Sequence, residues 1–172
     1  MRSLHILLVV TMLLAGVSCS SVDATKPMPG ATRITSVKTT AYTHTESDHI
    51  KLGAKTAIGT PLKFGRVRSA AADWSVYPVG TVFQIEGQPY VYEVDDYGSA
   101  LVGTNTIDLY QPTKGTMNDW GSRRVNIRVL KWGSFQKSLT IMKPRAQQSN
   151  TYIKKMVERI QRSVGLGTRR TS

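Results

Sequence analysis

Six short segments separated by glycines and prolines limit most strongly what this chain of 172 residues can fold into. They are rich in β-branched and aromatic residues and alternate apolar with polar positions, as half-buried strands do. They lie between residues 34 and 130 and read ITSVKTTAYT, RVRSAAA, TVFQIEG, PYVYEVD, TIDLY and RRVNIRVL. Only TKGTMNDW interrupts them with a short helical turn. The sequence therefore predicts an all-β fold, a small β-barrel over residues 34–132.

The N-terminus is predicted to be an export signal. Arg2 precedes the apolar run LHILLVVTMLLAGV, which has the length of a signal-peptide core and is short for a membrane span. Two processing sites compete, because V-D-A at residues 22–24 suits an ordinary signal peptidase and GVSC resembles a lipoprotein box ending in Cys19. We expect residues 1–24 to be a signal peptide, or a lipoprotein signal that ends before Cys19. The expected location is the bacterial cell envelope, as a periplasmic protein or outer-membrane lipoprotein, or the exterior after secretion.

Cysteine content and charge restrict the chemistry further. Cys19 is the only cysteine, so an intrachain disulfide and a catalytic thiol are both excluded. The formal net charge is +12, and removal of residues 1–24 takes Arg2 and Asp23 away together. An exported protein of this charge is attracted to anionic wall polymers and lipid headgroups. No nucleic-acid motif is recognisable, so nucleic acid is not a predicted partner.

Composition also predicts segments outside the barrel. Residues 25–33 are small, polar and Pro/Gly-rich, as a linker is, and residues 133–149 are predicted to be a second linker. Residues 150–166 place Ile153, Met156, Val157, Ile160 and Val164 at helical spacing, opposite Lys154, Lys155, Arg159 and Arg162. This basic amphipathic helix is expected to pack on the barrel, with contact to an anionic surface as the alternative. A basic tail, 167–172, follows.

Carboxylates are concentrated in the stretch EVDDYGSALVGTNTIDLY, residues 93–110. Strand alternation places Asp96 on the apolar face with Tyr92 and Val94, and leaves Asp95 on a polar, solvated face. An acid that transfers a proton near neutral pH needs partial burial or a neighbouring carboxylate to raise its pKa. Asp96 and Asp108 meet both conditions as a pair. The alternative is that each is a turn-forming aspartate that accepts backbone hydrogen bonds.

Other kinds of site are less favoured by the spacing. His44, Glu46, Asp48 and His49 are all metal-ligating residue types, but no recognised ligand spacing joins them, and a solvated loop is preferred to a metal site. Residues 95–108 lack the alternating ligands of an EF-hand. A serine triad is disfavoured because the chain has no G-x-S-x-G. We expect no metal and no cofactor.

Six ordered segments carry a resemblance to a known family: TAYT (40–43), TAIG (56–59), AADWSVYPVGT (71–81), DYGSALVG (96–103), IDLY (107–110) and WGSRRVNIRVL (120–130). In this order they resemble 3D domain proteins, which are named for three aspartates and are similar to the catalytic barrel of membrane-bound lytic murein transglycosylases. The resemblance implies a double-psi β-barrel. It also implies that Asp73, Asp96 and Asp108 are the three aspartates.

The resemblance further implies a reaction. Such transglycosylases cleave the β-1,4 bond between N-acetylmuramic acid and N-acetylglucosamine without water, and they close a 1,6-anhydro ring. Asp108 is then the general acid and base, with Asp96 in support and Asp73 fixing loop geometry. One carboxylate suffices because the sugar's own 6-hydroxyl attacks, whereas ordinary glycosidases use two. The implied sugar contacts are Tyr42, Thr56, Tyr97 and Tyr110.

Three residues depart from the family pattern, and alternatives stay open. Trp74 replaces a proline, Tyr97 replaces a threonine beside the aspartates, and Val102 stands in place of a lysine. A non-catalytic wall-binding module and a water-using glycan hydrolase are the two alternatives to a transglycosylase. The expected partners are peptidoglycan glycan strands, with an anionic envelope polymer or a membrane surface as additional candidates.

Overall fold

The computed structural model describes residues 31–46, 53–148 and 151–168. All six predicted strands are present, and their bounds are β1 Thr32–Tyr42, β2 Val67–Ala72, β3 Val82–Ile85, β4 Val91–Asp96, β5 Thr106–Tyr110 and β6 Arg123–Lys131. They close a barrel in the order β1-β5-β2-β4-β3-β6. The predicted six-stranded barrel is confirmed. The predicted signal segment and Cys19 lie outside the described residues.

The barrel combines two parallel strand pairs with four antiparallel ones, which is consistent with a double-psi barrel. The pairs β1–β5 and β2–β4 are parallel, and the other neighbours are antiparallel. Parallel neighbours require crossover connections, so the chain passes over the barrel ends between them. Inward-facing side chains fill the interior, among them Ala70, Phe83, Tyr92, Ile107 and Ile127, none of which is exposed to solvent.

A β-bulge in β4 changes which face its last residues occupy. Ala70 pairs with Val94, but Ala71 pairs with Asp96, so Asp95 is an extra residue in the ladder. A bulge interrupts strict alternation and re-aims the side chains after it. Val94 therefore lies in the barrel core, whereas Asp96 contacts groups on the outer face. The prediction that Asp96 shares a face with Tyr92 and Val94 is wrong for this reason.

In the described part of the chain three α-helices accompany the barrel, α1 Lys114–Trp120, α2 Phe135–Ala146 and α3 Thr151–Thr168, together with a short 3-10 helix at Ser99–Leu101. The short predicted turn corresponds to α1. The polar stretch that was expected to be a linker instead contains α2, which begins at the N-cap Ser134 and buries Leu139 and Met142. The helix was not predicted because its few buried apolar residues lie in a segment that is otherwise mostly polar. Pro144 lies in the last turn and cannot donate to the Thr140 carbonyl, and the helix ends two residues later at Ala146.

The predicted amphipathic helix is confirmed as α3, and it packs on the barrel. Ile153, Met156, Val157 and Ile160 belong to the same buried cluster as the barrel interior. Val164 does not, since it is 47% exposed. Within the described residues, no helix is both long and apolar enough to span a membrane.

Candidate functional site

The candidate site is a row of side chains across four adjacent strands. Thr40 of β1 pairs with Asp108 of β5, Asp108 pairs with Ala71 of β2, and Ala71 pairs with Asp96 of β4. Two strand spacings separate the α-carbons of the two aspartates by about 10 Å. The small side chain of Ala71 lies between them. Two of the three predicted aspartates therefore share one level of the outer face of the barrel.

Asp108 is half-buried and faces a cavity of about 200 Å³. Its Oδ1 accepts a hydrogen bond of 2.7 Å from the hydroxyl of Thr40. The cavity walls include Tyr42, Ala71 and Leu101. A carboxyl that is oriented by a neighbour and open to a cavity is in the position that a proton-transferring group requires.

Asp96 is more deeply buried than Asp108, and several hydrogen-bond donors hold it in place. It is 4% exposed, and its Oδ1 accepts from the backbone N–H groups of Ala57 at 3.0 Å and Tyr97 at 2.9 Å. Its Oδ2 accepts from the phenol of Tyr42 at 3.1 Å. The indole of Trp74 also donates to the Asp96 carbonyl at 2.8 Å. These contacts fix the orientation of the Asp96 carboxyl.

Tyr42, a predicted sugar contact, donates to Asp96 and lines the cavity of Asp108. Burial is the main cause that raises the pKa of Tyr42 well above its usual value, and the charges of Asp96, Asp95 and Asp108 add to it. The phenol therefore keeps its proton near neutral pH and acts as a donor to Asp96. Tyr42 is 4% exposed, so little of its surface is available to a ligand.

Asp73 connects three separate parts of the fold. It is 1% exposed, and its Oδ1 accepts from the N–H and hydroxyl of Ser75 at 2.9 and 2.6 Å. Its Oδ2 accepts from the N–H of Gly103 at 2.9 Å and from Arg159 of α3 at 3.0 Å. The carboxyl thereby joins the loop after β2, the loop before β5 and the C-terminal helix.

Asp95 is buried, contrary to the prediction that it is solvated. It is 0% exposed, and its Oδ2 accepts from the Ser69 hydroxyl at 2.8 Å and lies 3.1 Å from the Lys63 ammonium. Lys63 also pairs with Glu93 at 2.5 Å. Burial raises the pKa of Asp95, and Ser69 and Lys63 partly oppose this shift. The segment that carries Lys63 covers the outer face of β4, which sequence alternation does not reveal.

A second cavity of about 640 Å³ adjoins the first. Thr56, Asp96, Arg145 and Tyr152 line it, and both cavities share the wall formed by residues 97–99. Thr56 is 6% exposed and its hydroxyl is hydrogen-bonded to that of Thr60 at 2.9 Å. The two cavities form a discontinuous groove past both aspartates.

Tyr97 forms the wall between the two cavities. Its ring packs edge-on against Trp74 with centroids 4.8 Å apart, so two of the three departures from the family pattern contact each other. Its hydroxyl accepts a hydrogen bond of 2.9 Å from Arg145. Tyr97 is thus anchored between the barrel and α2.

Tyr110 lies behind Tyr42. The two rings are 5.7 Å apart, and Tyr110 is 5% exposed. Its hydroxyl is hydrogen-bonded to Nδ1 of His44 at 2.9 Å. Glu46, from the same histidine-rich segment, lines the cavity of Asp108. Asp48 and His49 lie outside the described residues, and the part of the chain that is described contains no group of three residues suited to a metal ion.

Sequence reasoning missed two contributors to the site. Thr40 and Tyr42 are two residues apart in β1 and therefore share a face of the strand. The position of Thr40 on the face of the site could thus have been predicted from the strand pattern. The contribution of Arg145 had no signal in the sequence. Its segment was interpreted as a linker, and its contact with Tyr97 joins positions far apart in the chain.

Comparison with known proteins matches residues 68–131 to the model of the 3D domain. The resemblance predicted from the ordered motifs is confirmed. Among curated proteins of Bacillus subtilis, YabE, described as a cell wall shaping protein, is 34% identical over 99 residues, which are 57% of this chain and 23% of YabE. The cell wall-binding protein YocH is 32% identical over 101 residues, or 58% of this chain and 33% of YocH. The chain thus matches a third or less of the length of either relative.

One solved structure is also similar. The crystal structure of MltA from E. coli is 27% identical, with a TM-score of 0.37, and the match covers 46% of this chain and 28% of MltA.

Proposed function

We propose, since the chain carries a 3D domain, that it cleaves the glycan strands of peptidoglycan as a lytic transglycosylase outside the cytoplasm. The observation that carries the proposal is the row in which Asp108 and Asp96 share one level of the outer face, with Asp108 open to a cavity. The names of the two Bacillus subtilis relatives refer to the bacterial cell wall, which supports this substrate class and an extracytoplasmic location.

Asp108 serves as the single acid and base in this reaction. Its proton passes to the glycosidic oxygen as the bond from that oxygen to the anomeric carbon breaks. The 6-hydroxyl of the same muramic acid residue then forms a bond to the anomeric carbon and gives its proton to the Asp108 carboxylate. Asp108 is thereby regenerated, and the products are a 1,6-anhydro end and a free 4-hydroxyl. Water is not consumed.

Neighbouring groups support Asp108 in defined ways. Thr40 donates a hydrogen bond of 2.7 Å to Oδ1 and thereby orients the Asp108 carboxyl. Asp96 places a second carboxyl at the same level of the outer face, two strands from Asp108. Tyr42 and the loop that carries Ala57 keep Asp96 in place. Asp73 has a positioning role, through the contacts that join two loops to α3.

The test uses purified sacculi. Wild-type protein is expected to release soluble fragments with anhydro ends, detected by mass spectrometry. Asp108→Asn is expected to lower the rate by about a hundredfold or more, as loss of a general acid does. Asp119→Asn, which makes the same change at an exposed position of α1, serves as the control. Wild-type activity in Asp108→Asn would overturn the assignment.

A water-using hydrolase is the second candidate, and the position of Glu46 favours it. Glu46 lines the same cavity as Asp108, which provides the second carboxylate that ordinary glycosidases require. This alternative predicts reducing ends in place of anhydro ends, and strong loss of activity in Glu46→Gln. The transglycosylase proposal predicts that Glu46→Gln retains its product type and most of its rate.

A wall-binding module without catalysis is the third candidate, and the name of YocH favours it. It predicts that the protein is retained on sacculi but releases no soluble fragment of either kind.

A further inference from the structure

We propose that the second cavity is an anion subsite, in which Arg145 binds a carboxylate of the stem peptide on the glycan strand. This inference rests on the proposed action on peptidoglycan. It adds to that proposal the preferred form of the substrate, a glycan that still carries its peptides.

Arg145 is held in a fixed orientation at the edge of the cavity. Nη1 donates to the Tyr97 hydroxyl at 2.9 Å, and Nη2 donates to the Ala57 carbonyl at 2.9 Å. Both partners are neutral, and Arg145 forms no ion pair with a carboxylate of the described residues. A guanidinium has five N–H donors. Arg145 therefore has donors and a whole positive charge available to a ligand.

The charges around the cavity favour an anion. Lys55 is a second cation in the lining. Asp96 is the opposing carboxyl, but the N–H groups of Ala57 and Tyr97 and the phenol of Tyr42 are directed at it. At about 640 Å³ the cavity lies within the usual size range of small-molecule binding pockets.

The position of the cavity indicates which anion it would meet. It shares the wall at residues 97–99 with the cavity of Asp108, so a substrate at Asp108 extends directly past Tyr97. In peptidoglycan the stem peptide is attached to muramic acid, the sugar whose glycosidic bond is cleaved, and it carries free carboxylates. A planar guanidinium matches a carboxylate with two parallel hydrogen bonds.

Binding measurements with two soluble fragments test the inference. One fragment is a muramidase-derived glycan with its stem peptides, and the other is the same glycan after an amidase has removed them. Wild-type protein is expected to bind the first about tenfold more tightly, which is the usual scale for a hydrogen bond to a charged group. In Arg145→Gln this preference is expected to fall to about twofold or less, with unchanged affinity for the peptide-free glycan.

Two further variants separate binding from folding. Lys55→Gln removes the other cation of the cavity and keeps the hydrogen bond between Arg145 and Tyr97. It is expected to reduce the preference for the peptide-bearing fragment by about threefold. Lys143→Gln makes the same change of charge at an exposed position of α2, and it is expected to leave the preference intact. Thermal unfolding of each variant shows whether its fold is as stable as that of the wild type.

Each outcome has a distinct meaning. Equal binding of the two fragments by the wild type overturns this inference but leaves the proposed function standing. Failure to bind either fragment overturns the proposed function, and the inference falls with it. Equal loss for both fragments in Arg145→Gln assigns Arg145 a purely structural role. Displacement of the peptide-bearing fragment by a glycerol phosphate polymer at equal charge concentration would assign the cavity to phosphate, and would overturn the proposal for carboxylate.

Discussion

At the scale of single residues, the candidate site depends on groups that hold one another in place. The Asp108 carboxyl faces a cavity, whereas the Asp96 carboxyl is held in place by three hydrogen-bond donors. The phenol of Tyr42 joins them, because it donates to Asp96 and lines the cavity of Asp108. Tyr42 was predicted to contact sugar. Its burial suggests instead that it positions Asp96.

Removal of the Tyr42 hydroxyl is expected to affect turnover more than substrate binding. Tyr42→Phe keeps the ring but deprives Asp96 of one of its donors, so we expect kcat to fall by about tenfold with KM within about twofold. Tyr92→Phe is the control, because it removes another tyrosine hydroxyl, which donates to Gln88 at 3.1 Å. Equal effects of the two substitutions on kcat would contradict a positioning role for Tyr42.

Asp95 is expected to make the stability of the protein depend on pH. Because burial raises its pKa in the folded state, the folded protein binds more protons than the unfolded chain between the two pKa values. Stability is then highest below the unfolded pKa, near 3.9, and falls as pH rises through the folded value. Asp95→Asn is expected to remove this fall. Urea unfolding from about pH 4 to pH 8 measures it, and parallel pH profiles of the two proteins would contradict it.

At the scale of secondary-structure elements, sequence patterns identified some features and missed others for physical reasons. All six strands were predicted because alternation with period two and flanking glycines and prolines are local signals. The bulge at Asp95 was missed because it has no Gly or Pro to mark it, and its existence depends on pairing with Ala71. The helix α2 was missed because its buried positions, such as Leu139 and Met142, lie within a largely polar segment.

The site was predictable to a similar extent. The family motifs singled out Asp96 and Asp108, and strand alternation gave the outward position of Asp108 but, because of the bulge, the wrong face for Asp96. The contribution of Arg145 was not predictable, because it arises only when α2 packs beside Tyr97.

The packing of α3 yields a prediction with an internal control. Met156 is 0% exposed and belongs to the buried cluster that includes the barrel interior, whereas Val164 on the same helix is 47% exposed. Met156→Ala is expected to lower the free energy of unfolding by about 2–4 kcal/mol, and Val164→Ala by less than about 0.5 kcal/mol. Chemical unfolding measures both values. Similar small effects of the two substitutions would mean that α3 is not held against the barrel in solution.

At the scale of the whole molecule, charge and site have separate roles. In the proposed function, the net charge of +12 attracts the protein to an anionic wall, and the groove acts on the glycan there. The exposed side of α3 contributes to this surface through Lys154 and Lys155. A basic protein can therefore be retained on the wall even when its site is inactive.

Salt is expected to weaken retention on sacculi without changing the reaction products. Between about 0.1 M and 1 M salt the Debye length falls from about 10 Å to about 3 Å, which screens exposed charges. We expect bound protein to decrease several-fold over this range in a pull-down assay. A variant with both Lys154→Gln and Lys155→Gln should show a weaker dependence on salt. Retention that is independent of salt would show that the groove, and not the basic surface, dominates binding.

The extra residue in β4 also determines how lineages of this barrel can change in length. The loops before and after the strand tolerate insertions, since added residues there move neither aspartate. One residue added to β2 opposite Asp95, between Ala70 and Ala71, would restore strict alternation and turn the Asp96 carboxyl toward the apolar interior. Length variation should therefore be abundant at the rim of the groove but absent from this short interval, even between proteins that share few identical residues.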